Sequence, residues 1–265
     1  MNTVLKKIGY SCLHLLTLGK GINKKINGVA VKFPTWYFRY FPEDYEQDNF
    51  LLIKETVKQD DVVIDIGAHI GLMAVVFGKL VGKNGKVYSF EPTPHSYGVL
   101  KQTIHLNKLE NIVEPVNKAV SSASGSISFN VNREDVSNSI VSYEHNSGHK
   151  PITVQTVSID DFVKEKDLSR LDFIKIDAEG VELDVLKGAT KTLADFDCKM
   201  ILALHPLAIE TKGDSLSAIY DTVANAGFSV YWKNAVITKT VFCEQQHLFD
   251  VFLEKALHNP LSQHP

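Results

Sequence analysis

Nowhere in the 265 residues does an uninterrupted apolar run approach the ~20 residues that a membrane-spanning helix needs. The N-terminal stretch MNTVLKKIGYSCLHLLTLGKGINKK has Lys6 and Lys7 ahead of an apolar run that His14 interrupts and that is too short to span a bilayer. Leu18-Gly19-Lys20 is a poor signal-cleavage site, so the stretch is expected to be a helix packed on the domain, with weak membrane-surface contact as the lesser option. Cysteine is scarce as well. Cys12, Cys198 and Cys243 are far apart, odd in number and without zinc-site spacing, which argues against a disulfide framework or a cysteine-based metal centre. Reduced structural thiols and a cytoplasmic location are the expectation. An excess of one charge is lacking too: 28 Lys and Arg face 31 Asp and Glu, a net charge of −3, so no global basic field draws in nucleic acid or an anionic membrane. There is no internal repeat and no low-complexity linker.

What is present is ordinary globular composition, 44% hydrophobic and 22% charged, in a chain long enough to bury a large core without staples. Residues 1–45 read as a helical and aromatic extension that includes FPTWYFRYFPEDY, Phe33 to Tyr45. Its prolines prevent a long helix, and it is expected to cover core rather than touch ligand. Residues 46–265 read as one domain. Apolar strands near 62–66, 86–91, 112–117, 171–177, 198–206, 228–232 and 246–253 alternate with helical periods near 70–80, 92–107, 181–196 and 216–225. This predicts an α/β, Rossmann-like, doubly wound and mostly parallel seven-stranded sheet. Between the third and fourth strands, GSISFNVN and PITVQTVSID form a β-hairpin-like insertion around the polar loop Asn132 to His149.

A dinucleotide-binding G-x-G-x-x-G is also missing. VVIDIGAHIGLMAVVFG, Val62 to Gly78, reads instead as a buried strand that carries Asp65 near its tip, turns on Gly67 and Gly71 and enters a helix. A carboxylate there would repel a pyrophosphate. It suits a ligand with an ammonium group and a positive sulfur, which describes S-adenosylmethionine. Glu91 ends the next strand, where an acid can accept ribose hydroxyls. Asn117, at the third strand's tip, is a candidate adenine contact, and a loop asparagine satisfying backbone groups is the equal alternative.

LDFIKIDAEGVELDVLKGA, Leu171 to Ala189, is the most specific stretch. Lys175, Asp177, Glu179 and Glu182 crowd a strand end and a helix start, more charge than capping requires. Asp177 is a candidate on both the cofactor and the catalytic side. Candidate bases are His205, before Pro206 at the fifth strand's tip, and Asp177 or Glu179; Lys175 could keep one of these acids ionised. Asp177 and Glu179 are also hard oxygen ligands of the kind that hold Mg²⁺, but no third ligand is evident, so metal-independent catalysis is favoured.

In this order and spacing, VVIDIGAHIG, YSFEPTP, NKAVSSASG, SIDDFV and FIKIDAEGVELDVLKGA resemble the FkbM family of S-adenosylmethionine-dependent methyltransferases, over roughly residues 45 to 232. The resemblance implies a Rossmann-like methyltransferase fold and methyl transfer to hydroxyls of sugars or natural products. It places Asp65, Gly67, Ala68, His69 and Gly71 on the methionine-side loop, Glu91 on the ribose, and acceptor recognition in the 132–149 loop, where Ser137-Asn138-Ser139 matches a polar patch of the family. Two positions depart from its pattern. His69 stands where Asn is frequent, and Ala203 stands where an acid commonly precedes the His-Pro by two residues. The expected partner is therefore a sugar or small-molecule hydroxyl. Transfer to nitrogen or carboxylate is the alternative, although the Asn/Asp-Pro-Pro-aromatic run of amino-methylating sites is absent. A scaffold that has lost activity is the third reading.

Overall fold

The dipeptide Asn27-Gly28 turns the chain between β1 (Ile22–Ile26) and β2 (Val29–Phe33), which pair antiparallel with Ile26 opposite Val29. Both turn residues have positive φ, 45° and 84°, as a two-residue primed turn requires. The structure is a computed structural model that describes residue 13 and residues 15–131 and 150–255. The chain divides into two compact units, residues 1–118 and 119–265. The hairpin corrects the expectation of helix through Lys25: residues 13, 15 and 16 are helical, but β1 begins at Ile22. Asn107 docks the hairpin by accepting from the Lys32 amide at 3.0 Å and donating to its carbonyl at 2.8 Å.

In the first unit, α1 (Gln47–Thr56) leads into three parallel strands, β3 (Val62–Ile66), β4 (Lys86–Phe90) and β5 (Val113–Val116), with β4 in the middle. The connections are α2 (Leu72–Val81) and α3 (Pro94–Leu106). Helix α2 is apolar nearly all round, and Leu72 to Gly78 are all buried. It packs on β2, β3, β4, β5 and α3, which explains why its sequence shows no polar face.

In the second unit, β6 (Ala119–Val120), β7 (Gly125–Val131) and β8 (Lys150–Val157) form a small sheet, with β6 parallel and β7 antiparallel to β8. The predicted hairpin is there. The strand predicted to reach Asp160 stops at Val157, because Ser158 caps α4 (Ile159–Glu165) by accepting the Asp161 amide at 3.1 Å. The loop 132–149, with Ser137, Asn138 and Ser139, lies outside the described residues, as does Cys12.

The larger sheet of this unit orders β12 (Ala235–Val236), β11 (Phe228–Trp232), β13 (Phe249–Lys255), β10 (Lys199–Leu204) and β9 (Phe173–Ile176). Strands β9 and β10 are parallel, and the other pairs are antiparallel. All seven predicted strands are present, and β12 adds two residues to β11. Helices α5 (Glu182–Lys187) and α6 (Thr190–Asp195) break at Gly188, as expected. Besides α4, two short helices have no counterpart in the sequence reading, α7 (Pro206–Lys212) and α9 (Lys239–Cys243). They flank α8 (Leu216–Asn225), which falls on its predicted span.

Gly188 is fixed by close approach. A Cβ there would lie 2.1 Å from the Ser121 carbonyl oxygen. Asp160 completes the junction by accepting from the Lys191 and Thr192 amides at 3.0 and 2.7 Å, which caps α6. Gly188→Ala is therefore expected to cost about 2–3 kcal/mol and to lower Tm by about 4–12 °C. A thermal melt indistinguishable from the wild type would show that Ser121 moves aside freely. Burial pushes the Cys198 thiol up to about 12, the behaviour of a structural cysteine.

Candidate functional site

Candidate residues fall in both units. In the first, the chain leaves β3 through Gly67 (φ 79°), His69 (φ 52°) and Gly71 (φ 92°). The amides of Gly67 and Ala68 both donate to the Phe90 carbonyl, at 3.1 and 2.9 Å, which ties the loop to the tip of β4. Gly71 is demanded twice over: its φ is left-handed, and a Cβ would meet Leu100 Cδ1 at 2.9 Å. His69 occupies the same backbone region, which Asn and His tolerate better than most side chains. Exchange of one for the other at this position thus preserves the turn.

Asp65 is fully buried, and Ser89, its cross-strand neighbour, donates from Oγ to Oδ2 at 3.3 Å. Glu91 is 6% exposed. Its Oε1 accepts from the Thr93 amide at 2.9 Å and hydroxyl at 2.6 Å, and its Oε2 accepts from the His69 amide at 3.0 Å. A carboxylate offers about four acceptor positions, so Oε2 retains one for a further hydroxyl. Burial pushes the Glu91 carboxyl above its ordinary value; the Thr93 and His69 hydrogen bonds oppose this, and the Asp65 charge adds to it. Two buried acids within electrostatic reach of each other, beside the glycine turn, fit a cationic ligand. Asn117 lies exposed just past β5, and its amide donates to the Glu91 and Pro92 carbonyls at 2.9 and 3.0 Å. Its visible work is to brace the tip of β4.

The aromatic segment reaches these same loops. Phe33 and Phe41 are buried, as a core cover should be, whereas Trp36 and Tyr40 are 44% and 43% exposed. The Tyr40 ring lies 5.1 Å from that of His69, and Tyr37 Oη lies 2.7 Å from His95 Nε2. The segment therefore braces the loop after β3 and the first turn of α3. Tyr37, Tyr40, Thr93 and His95 carried no sequence signal beyond aromatic density, because their roles depend on contacts distant in the chain.

In the second unit, Lys175 on β9 is 4% exposed, and its Nζ lies 3.1 Å from Asp177 Oδ2. The chain then turns through Glu179 (φ 48°) and Gly180 (φ 106°), and the Gly180 amide donates to Glu182 Oε1 at 2.9 Å. His205, just past β10, brings the cluster together: Nδ1 lies 3.0 Å from Glu182 Oε1, and Nε2 lies 3.7 Å from Asp177 Oδ1. Burial works against the imidazolium. The Glu182 hydrogen bond and the charges of Asp177, Glu182 and Glu179 outweigh it, and the His205 pKa stands above the ordinary histidine value. Asp177 thus lies within reach of both Lys175 and His205, and Glu179 acts on His205 through its charge. Ala203, two residues earlier, is buried and lies opposite Asp250 of β13. Among the described residues no group of three or more His, Cys, Asp or Glu side chains is arranged to hold a metal ion.

The model of the methyltransferase FkbM domain matches residues 65–230, more than half of the chain. The chain belongs to the FkbM methyltransferase family. The fold agrees with that family: it is an α/β methyltransferase fold whose main-sheet strands are mixed and largely parallel, with a small extra sheet. It is similar to the hexuronic acid methyltransferase AglP of Haloferax volcanii, 33% identical over 165 residues, which cover 60% of this chain and 62% of AglP. It is also similar to the 2-O-methyltransferase NoeI of Sinorhizobium fredii, 28% identical over 150 residues, 51% of this chain and 60% of NoeI. The matches span about three fifths of those relatives. Among solved structures, a proposed rRNA-methylase from Clostridium thermocellum superposes with a TM-score of 0.50 at 12% identity, over 79% of this chain and 94% of that one. That likeness concerns the fold alone. No helix among the described residues is long and apolar enough to cross a membrane.

Proposed function

We propose that this FkbM methyltransferase methylates a hydroxyl of a sugar, in a glycan, glycolipid or glycosylated metabolite, without a metal. The observation that carries the reading is the His205 imidazole with carboxylates near both ring nitrogens, Glu182 at 3.0 Å and Asp177 at 3.7 Å. A neutral hydroxyl must lose a proton as it is methylated, and a positioned imidazole is suited to take it. The names of AglP and NoeI support a carbohydrate acceptor.

In this reading Asp65 and the Gly67–Gly71 loop, with Ala68 and His69, hold the methionine end of the cofactor, while Glu91 holds its ribose and Asn117 braces the site. When bound, the cofactor would supply a methyl carbon activated by its sulfonium, with the sulfur as the group that would take the C–S electron pair when the hydroxyl oxygen bonds that carbon. His205 takes the hydroxyl proton at Nε2. Asp177, held by Lys175, and Glu179 stabilise the positive charge that then develops on the ring. The rest of the work is orientation of the hydroxyl for in-line attack.

The test is transfer of labelled methyl from S-adenosylmethionine to a panel of hexuronic acids, hexoses and oligosaccharides, with and without EDTA. Incorporation at carbohydrate oxygen, unaffected by chelation, is expected. Label appearing only on amines would overturn the sugar reading, and activity lost in EDTA would overturn the metal-free one.

A further inference from the structure

We propose that Glu182 is the positioning residue for His205: its buried carboxylate holds the imidazole in a single tautomer, with Nδ1–H on Glu182 and Nε2 on the Asp177 side. This rests on the reading of His205 as the base. Glu182 is fully buried at the start of α5. Its Oε1 accepts from both the Gly180 amide, at 2.9 Å, and the imidazole, which fixes the carboxylate from two directions. Its Oε2 has no hydrogen-bond partner among the described residues.

Taking a carboxylate wholly out of water is costly, and a single backbone contact at a helix start does not require it. An orienting carboxylate for a catalytic imidazole does, because it selects which nitrogen carries the resting proton and steadies the cation formed later. A carboxylate can only accept, so Nδ1 donates and Nε2 keeps the lone pair. The family's strand position for an acid beside the His-Pro is Ala203 here. The carboxylate that contacts His205 most closely comes instead from α5, within the same KIDAEGVE stretch that supplies Asp177. The charged groups facing the ring are Glu182 from α5 and Asp177 and Glu179 from the turn after β9. Lys175 of β9 is paired with Asp177, and Asp250 of β13 is in register with Ala203.

The decisive variant is Glu182→Gln, which keeps the shape and an acceptor for Gly180 and removes the charge. Its first readout needs no acceptor substrate: the tautomer and titration of His205 by NMR with ¹⁵N-labelled histidine. The midpoint is expected to move to lower pH, and the Nδ1–H form to lose its dominance. An unchanged titration and tautomer would overturn the proposal. On the panel carbohydrate with the highest incorporation, kcat is expected to fall at least about tenfold, with KM and S-adenosylhomocysteine affinity preserved. In a His205→Ala background the same substitution should cost nothing more; a further loss would mean that Glu182 acts elsewhere. Should Glu182→Gln not fold, Glu182→Asp retains the charge and is expected to keep the titration midpoint high while lowering kcat, and a midpoint that drops would count against the proposal. If His205→Ala alone keeps full turnover, the base reading fails, while the NMR titration still decides whether Glu182 sets the state of the ring.

Discussion

Replacing Asp65 with asparagine is expected to weaken S-adenosylmethionine binding by about a hundredfold or more. Removing one partner of a buried charge pair costs about 3–5 kcal/mol, and each 1.4 kcal/mol is about a factor of ten in Kd. Asparagine retains an oxygen for the Ser89 hydroxyl, so the strand contact survives while the charge goes. The apo-protein should not be destabilised. The Asp65 charge pushes the Glu91 carboxyl upward, so its loss brings that carboxyl back toward its ordinary value and eases ionisation of a buried acid. Weaker cofactor binding with an unchanged or higher Tm is therefore the expected signature, read by calorimetry and a thermal melt. Comparison with S-adenosylhomocysteine, which lacks the positive sulfur, locates the effect. Equal losses for both ligands assign Asp65 to the ammonium group, and a loss confined to S-adenosylmethionine would assign it to the sulfonium. Affinity within about threefold of the wild type for both would remove Asp65 from the cofactor site.

Local pattern made much of the larger scaffold legible. Strand β3, the glycine turn and α2 are contiguous, and their apolar run ends where the buried acid stands, so VVIDIGAHIG could be read without any tertiary contact. The same holds for α8, whose Ser215 cap accepts the Ala218 amide at 3.2 Å and whose period is clean. The helix expected over residues 1–25 overlaps only the start of the β1–β2 hairpin, whose Asn27-Gly28 between two alternating runs is a strong short-range turn signal. Helix α7 was hidden because Pro206 reads as a strand terminator, whereas proline also suits the first turn of a helix. At the candidate site, the charged residues of KIDAEGVE were visible, but their pairing was not. Nothing in the sequence says that Glu182 turns inward to His205 while Asp177 pairs with Lys175, because the partner histidine arrives from β10. Likewise, Tyr40 meets His69 only through the fold.

Removal of the His205 imidazole is expected to lower kcat by about 10²- to 10⁴-fold, the usual contribution of a positioned base, and to leave S-adenosylhomocysteine affinity unchanged. Two variants separate chemistry from packing. His205→Ala leaves the buried Glu182 carboxylate without its 3.0 Å partner, and an uncompensated buried acid costs about 1–3 kcal/mol or more, so the melt should move down. His205→Asn offers an amide donor in place of Nδ1–H and should restore most of that stability, yet it has no basic nitrogen and should restore no turnover. The pH profile adds a sign. A base works when neutral, and the His205 pKa lies above the ordinary histidine value; wild-type kcat/KM should therefore rise with pH through a midpoint above that of a free histidine. Both variants should lose that limb. An asparagine variant that turns over at the wild-type rate, or that keeps the same acid limb, would move the base to Asp177 or Glu179, the remaining acids that face the same ring.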